Sequence, residues 1–133
     1  MHIHDANTPA AITLVRSTNE ALLMSSLAEF ETVNALNLRV FRNEMLLINR
    51  DNAVRDLDSD VQSGLLALMP LPDSAFVRAK VLARTLTTTI GVRAVDLLHV
   101  ATALELGASS LFTFDQKQHR TARAAGLGVN PLS

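Results

Sequence analysis

Short apolar runs alternate along the chain with longer stretches that have helical spacing. Three of the short runs are typical of buried strands: ALLM at residues 21–24, SLFTF at residues 110–114 and the segment at residues 127–130. Short apolar strands that alternate with helices predict a parallel sheet covered on both faces. The expected fold class is therefore α/β, a three-layer α/β/α arrangement around a short parallel sheet.

The stretches between these runs carry the start and stop signals of helices. Pro9 suits a first helical turn, and Ser26 with Glu29 matches a capping box. Asp73 is a candidate N-cap, and Gly91 is expected to end the helix that Asp73 starts. The predicted helices span residues 9–17 and 26–43, follow Asn49, span residues 73–88, and begin at Asp96 and Gln116.

Composition narrows the possible classes of protein. A chain of 133 residues with 48% hydrophobic residues predicts a single domain over residues 1–133. The net charge of −1 means that any contact with a nucleic acid needs a local basic face. Cysteine is absent, which excludes disulfides, thiolate metal sites and cysteine nucleophiles. Without an apolar run of about 18 residues or a leader, the expected location is cytoplasmic, with no membrane partner.

Helical phase selects Glu31 among the acids of the first long helix. The apolar face predicted for that helix has Glu31 at its centre and comprises Leu27, Phe30, Asn34, Ala35, Leu38 and Phe41. A carboxylate inside an apolar stripe costs several kcal/mol unless something neutralises it. Glu31 is therefore expected to face a metal ion, or else to lie at the wet edge of the stripe or pair with an arginine.

Two further acids, Asp96 and Asp115, mark a helix start and a strand end. Asp96 shares the apolar side of its helix with Val100, whereas His99 falls on the polar side and is expected to be a surface or supporting residue. Asp115 can cap the last helix together with Gln118, so cap and ligand interpretations both stay open. Carboxylates gathered at strand ends and helix starts point to a divalent metal site.

Taken together, these segments resemble a PIN domain, in particular the toxin ribonucleases of the bacterial VapC type. The matching segments are residues 25–27, 31–36 (ETVNAL), 96–101 (DLLHVA), 112–115 (FTFD) with Gln118, and 124–127 (AAGL). The resemblance implies an endoribonuclease that uses Mg²⁺ or Mn²⁺ to hydrolyse RNA phosphodiesters as the toxin of a toxin–antitoxin pair. It also implies that Glu31, Asp96 and Asp115 are the catalytic and metal-binding acids, with Thr113 as a polar neighbour.

The same resemblance implies the partners. RNA is the expected substrate, an antitoxin protein is the expected binding partner, and the chain is expected to form a homodimer. RNA would approach along Arg93, Lys117, Arg120 and Arg123. For the last three of these residues, an ordinary solvated helix face is an equally good interpretation.

The start of the chain departs from the family pattern. The family's first strand lies in the middle of the sheet and ends in an aspartate, whereas this chain begins MHIHDANTPAA, with Asp5 only 26 positions before Glu31. We expect that strand to lie upstream of Met1, which would leave the chain poorly active. Alternatively residues 1–5 fill the gap of about 10 Å between the neighbouring strands, and Asp5 is a ligand. The second functional hypothesis is a catalytically impaired PIN-fold binding module that dimerises or binds an antitoxin.

Overall fold

A computed structural model describes residues 13–17 and 21–131. Within these residues five strands form one sheet in the order β3-β2-β1-β4-β5. The strands are β1 (Leu14–Ser17), β2 (Leu22–Ser25), β3 (Ala67–Met69), β4 (Ala108–Phe112) and β5 (Gly128–Val129). The helices are α1 (Ser26–Phe41), α2 (Leu47–Gln62), α3 (Ser74–Leu82), α4 (Thr88–Ile90), α5 (Ala94–Glu105) and α6 (Gln116–Ala124).

The central strand, β1, runs opposite to its two neighbours. Val15 pairs with Leu23 of β2 and with Leu111 of β4, and both pairings are antiparallel. The outer pairs, β2 with β3 and β4 with β5, are parallel. The sheet is therefore mixed rather than purely parallel as predicted, and residues 14–17 fill the space between β2 and β4.

The helix predicted over residues 9–17 is wrong where it can be compared with the structure. Residues 14–17 form β1, while residues 9–12 lie outside the described part of the chain, as does Asp5. Hydrogen bonds to strands on both sides explain the difference, because tertiary pairing overrides the local preference of a four-residue segment. Strand β3 was also missed, although it lies within the apolar run LLALM at residues 65–69.

Helices cover both faces of the sheet, which gives the three layers expected for the α/β class. Successive residues of β1 point to opposite faces. Leu14 belongs to a core cluster with Met24 and with Ala28 of α1, against which Leu57 and Val61 of α2 also pack. Val15 belongs to the larger cluster on the other face, whose helical members are Leu82, Leu97, Val100, Ala101, Ala103 and Ala122.

Helix α1 buries a different face from the one predicted. Its buried residues are Ala28, Thr32 and Leu36, whereas Phe30, placed on the predicted apolar face, is 69% exposed. The N-cap is Ser25, whose hydroxyl accepts a hydrogen bond from the Ala28 amide at 3.0 Å, and not Ser26 in a capping box. The small side chain of Ala28 is fully enclosed in the core cluster beneath the sheet, so the helix packs through this side rather than through its larger apolar residues.

The helix predicted over residues 73–88 is built from three pieces. Helix α3 is followed by a π-helical turn (Ala83–Thr87) and then by the single turn of α4. Gly91 ends α4 with a φ of 70°, a left-handed conformation that glycine adopts without strain. Asp73 makes no side-chain capping hydrogen bond. Among the described residues no helix is long and apolar enough to cross a membrane.

Candidate active site

A cleft of about 380 Å³ opens at the edge of the sheet where β2 and β4 end. Because β1 runs in the opposite direction, it begins at this edge, and Thr13 points into the cleft from its start. The cleft is lined by Thr13, Glu31, Arg93, Asp96, His99, Thr113, Phe114, Asp115, Gln116 and Gln118. The structure thus brings together the three acids selected from the sequence.

Asp115 is fixed at the start of α6. Its Oδ1 accepts a hydrogen bond from the Gln118 amide at 2.8 Å, so the predicted cap pair is present. The Asp115 amide donates to the Thr113 hydroxyl at 3.1 Å. A carboxylate has two oxygens and several lone pairs, so this capping role leaves acceptor capacity for a ligand in the cleft.

Asp96 lies in the first turn of α5, which begins two residues earlier than predicted, with Arg93 as the N-cap. Burial raises the pKa of Asp96, and the charge of Asp115 raises it further. Arg93 and His99 oppose this increase, but the Arg93 side chain is 81% exposed and its Nε lies 3.5 Å from Asp96 Oδ2. The net effect is that Asp96 resists ionisation, because it shares a partly buried site with a second carboxylate.

Glu31 reaches the cleft from the edge of the buried face of α1, not from its centre. Its Oε1 accepts a hydrogen bond from His99 Nε2, and the Glu31 side chain is 33% exposed. Glu31 thus lies at the solvent-exposed edge of the helix face, one of the two alternatives to a metal-facing position. Its partner is a histidine, not the arginine of the other alternative.

His99 was wrongly assigned to the polar face of its helix. Its side chain is only 3% exposed, because α5 is buried on nearly all sides, with Thr102 and Ala103 also inside. Helical periodicity identifies a buried face only when the other face is exposed to solvent, and α5 is enclosed on nearly all sides. The signal that could have identified His99 is its place one turn after Asp96, facing the same cleft.

Gln118 links three segments around the cleft and was recognised from the sequence only as a capping partner. Its side chain is buried, its Oε1 accepts a hydrogen bond from the Thr13 hydroxyl at 3.0 Å, and its Nε2 donates to the Asp96 carbonyl at 3.4 Å. Through Thr13 the central strand contributes a neutral hydroxyl to the cleft. Gln118 of α6 therefore connects the start of β1 to the first turn of α5 beside the cleft.

Asn130, which follows β5, makes hydrogen bonds to the backbone at the end of β4. Its side-chain oxygen accepts from the Thr113 amide at 2.9 Å, and its Nδ2 donates to the Thr113 carbonyl at 3.0 Å. The Asn130 side chain thus makes the two backbone hydrogen bonds that a neighbouring strand would otherwise make with Thr113. Thr113 in turn binds the Asp115 amide, so Asn130 stabilises the segment that carries this acid.

The basic residues expected near the site lie on exposed surface. Arg93 lines the cleft itself, and Lys117, Arg120 and Arg123 are exposed along α6.

Comparison with protein families agrees with this arrangement of fold and cleft. The model of the PIN domain matches residues 2–124, which is most of the chain. The chain belongs to the PIN domain family. PIN domains are generally nuclease domains that act on RNA or DNA, and PIN nucleases generally use divalent metal ions. Comparison with curated proteins and with solved structures found no match.

The PIN cleft fits a divalent cation in its donor chemistry. Carboxylate oxygens are the preferred ligands of Mg²⁺ and Mn²⁺, and the repulsion between Asp96 and Asp115 is what a cation between them would relieve. In the described part of the chain, however, no three His, Asp or Glu side chains form a group that could hold a metal ion. Glu31 faces the same cleft but is bonded to His99. Among the three acids, Asp96 and Asp115 are the two whose charges act on each other.

Proposed function

We propose that residues 1–133 act as one PIN domain whose cleft is the active site of a Mg²⁺- or Mn²⁺-dependent endoribonuclease. Glu31, Asp96 and Asp115 are its catalytic and metal-binding acids. The observation that carries this proposal is that three carboxylates from distant parts of the chain line one cleft of a nuclease fold. The preference for RNA follows from the resemblance to toxin ribonucleases.

The chain's own residues prepare the cleft for a phosphodiester. Asp96 and Asp115 would hold the cation, and Glu31 of α1 lines the same cleft and would contribute a third carboxylate. The cation, when bound, supplies activation of water and neutralises charge at the scissile phosphate. Arg93 stands exposed at the cleft, where it can bind a neighbouring phosphate of the RNA chain. The exposed basic side chains of α6 can bind further phosphates along the RNA chain.

The proposal is tested by cleavage of a single-stranded RNA in the presence of Mn²⁺. The wild-type protein is expected to cleave it, and excess EDTA is expected to stop the reaction. Asp96→Asn keeps the shape of the side chain but removes its charge, so cleavage is expected to fall at least about 100-fold. The matched control is Asp58→Asn on the exposed part of α2, which should cleave like the wild type.

Retained cleavage by Asp96→Asn, or full activity in EDTA, would rule out this mechanism. Circular dichroism of each variant shows whether loss of activity reflects the site or the fold.

We further propose that this nuclease is the toxin of a toxin–antitoxin pair and forms a homodimer. Exposed apolar side chains support a protein partner; they include Phe30, Phe41, Leu46, Phe76, Val77 and Val81. Light scattering at tens of micromolar should report about twice the chain mass of 14.4 kDa, and a monomer would remove the dimer. Expression is expected to arrest bacterial growth, and co-expression of the adjacent reading frame is expected to restore it.

A catalytically impaired binding module is the second candidate, and a specific observation favours it. The central strand offers the neutral Thr13 to the cleft, and the described residues contain no group of three metal-binding side chains. Calorimetry with Mn²⁺ separates the two candidates. A dissociation constant weaker than millimolar, together with an intact dimer and no cleavage, would favour the binding module.

A further inference from the structure

The cleft contains two pairs of side chains rather than one cluster. Asp96 and Asp115 line one part of the cleft wall, from the starts of α5 and α6, and in the described part of the chain no three His, Asp or Glu side chains form a single metal-holding group. Glu31 is instead bonded to His99. His99 follows Asp96 by three residues on α5 and lines the same cleft, where its hydrogen bond is to Glu31.

His99 is well suited to hold Glu31 in place. The imidazole is almost completely buried, so its position is set by the core around α5. Glu31 is a long side chain at the rim of the cleft, one-third exposed, and it has several rotamers available unless a partner selects one. Because a carboxylate only accepts hydrogen bonds, Nε2 is the protonated ring nitrogen in this contact.

We propose that His99 is a positioning residue that holds the Glu31 carboxylate in the cleft opposite Asp96 and Asp115. The inference rests on the proposed nuclease function, and the main effect that it assigns to His99 passes through Glu31. Groups that orient metal-site ligands in this way typically change metal affinity or activity 10–100-fold when they are removed.

Two substitutions separate positioning from simple packing. His99→Leu fills a similar volume but has no donor, whereas His99→Gln can place an amide N–H near the position of Nε2. We expect His99→Leu to weaken Mn²⁺ binding, measured by calorimetry, or the rate of RNA cleavage, by about 10–100-fold. His99→Gln should stay within about threefold of the wild type for both.

The decisive arm repeats His99→Leu in a Glu31→Gln background. If His99 acts through Glu31, the second substitution should change Mn²⁺ affinity and cleavage by less than about twofold. An equal loss in both backgrounds, or a loss that His99→Gln does not rescue, would show that His99 only supports the fold and would overturn the proposal.

A measurement on the metal-free protein keeps this test separate from the nuclease proposal. Long-range ¹H–¹⁵N spectra of the imidazole should show the Nε2-protonated form of His99, with its nitrogen shifts changed by Glu31→Gln. Unchanged shifts would refute the contact and hence the positioning role. Changed shifts in a protein that neither binds Mn²⁺ nor cleaves RNA would refute the nuclease function while confirming that His99 holds Glu31.

Discussion

Asp96→Asn should make the metal-free protein more stable while it abolishes the proposed activity. Burial and the charge of Asp115 both raise the pKa of Asp96, so at neutral pH the ionised Asp96 destabilises the folded state. Asparagine has nearly the same shape and carries no charge. Functional sites that gather like charges commonly reduce stability in this way, and removal of one charge releases that cost.

The size of the gain follows from the opposing contributions. Desolvation of the Asp96 carboxylate is the largest cost of the charge, and the repulsion by Asp115 adds to it. For scale, two unit charges repel by about 2 kcal/mol at a separation of ~8 Å and an effective dielectric constant of about 20. The substitution also loses the contact with the exposed Arg93, worth about 0–1 kcal/mol, and a favourable first-turn charge worth about 0.3–1 kcal/mol. The net gain is about 1 kcal/mol, which raises the melting temperature by about 3–5 °C for a chain of this size.

Thermal unfolding in EDTA across a range of pH provides the assay. A carboxyl group whose pKa is raised in the folded state costs nothing below its unfolded value of 3.8, and the cost grows as pH rises through the folded pKa. The melting temperatures of the wild type and Asp96→Asn should therefore converge below pH 3.8 and separate towards neutral pH. The Asp58→Asn control should show no such pH-dependent gap.

Addition of Mn²⁺ should reverse the order of stability. At 100 times its dissociation constant, a ligand that binds only the folded state contributes about 2.7 kcal/mol, which only the wild type should gain. If Asp96→Asn is less stable than the wild type in EDTA at pH 7, the electrostatic reasoning about the Asp96–Asp115 pair is wrong.

Three further substitutions, the first of them with a matched control, test the packing and the composition of the site. Leu36→Ala removes a side chain that is 2% exposed and should lower the free energy of unfolding, measured in urea, by about 2–5 kcal/mol. Its control is Leu46→Ala, at a position 71% exposed, which should change the free energy of unfolding by less than about 0.5 kcal/mol. Gln118→Leu should cost about 1–3 kcal/mol, because the Thr13 hydroxyl and the Asp96 carbonyl lose their partner; a neutral result would show that this link is not structural. Thr13→Asp adds a carboxylate to the cleft and should tighten Mn²⁺ binding about tenfold in calorimetry while lowering the melting temperature in EDTA. Unchanged affinity would mean that the Thr13 position does not face the cation.

Features that depend on local sequence were predicted well. The cap of α6 by Asp115, the end of α4 at Gly91 and the strand character of β2 are each fixed by a few neighbouring residues, and each is present. The α/β class with helices on both faces of the sheet also followed from the alternation of apolar runs and helical spacing.

Features that depend on the surroundings were predicted poorly. The buried face of α1 is set by the sheet beneath it, so the large apolar residues Phe30 and Phe41 stay exposed while Ala28 is enclosed. His99 was misplaced because its helix is enclosed by other elements, which helical phase alone does not reveal. Glu31 was selected on an incorrect description of its helix face, yet it does line the cleft.

The direction of β1 accounts for the unusual composition of the cleft. Ligand-binding groups in α/β folds gather at the carboxyl ends of parallel strands, and β2 and β4 follow this rule, since Glu31 and Asp115 both come after them in the chain. An antiparallel central strand presents its start to the same edge, so the residue that faces the acids is Thr13 rather than one that follows the strand. Gln118 adapts the cleft to this reversal, because its amide oxygen accepts the Thr13 hydroxyl while its nitrogen binds the Asp96 carbonyl. In this fold β1 completes the centre of the sheet, and the acids line one cleft at its edge. Within the described residues, the negative charge of the cleft comes from Glu31, Asp96 and Asp115.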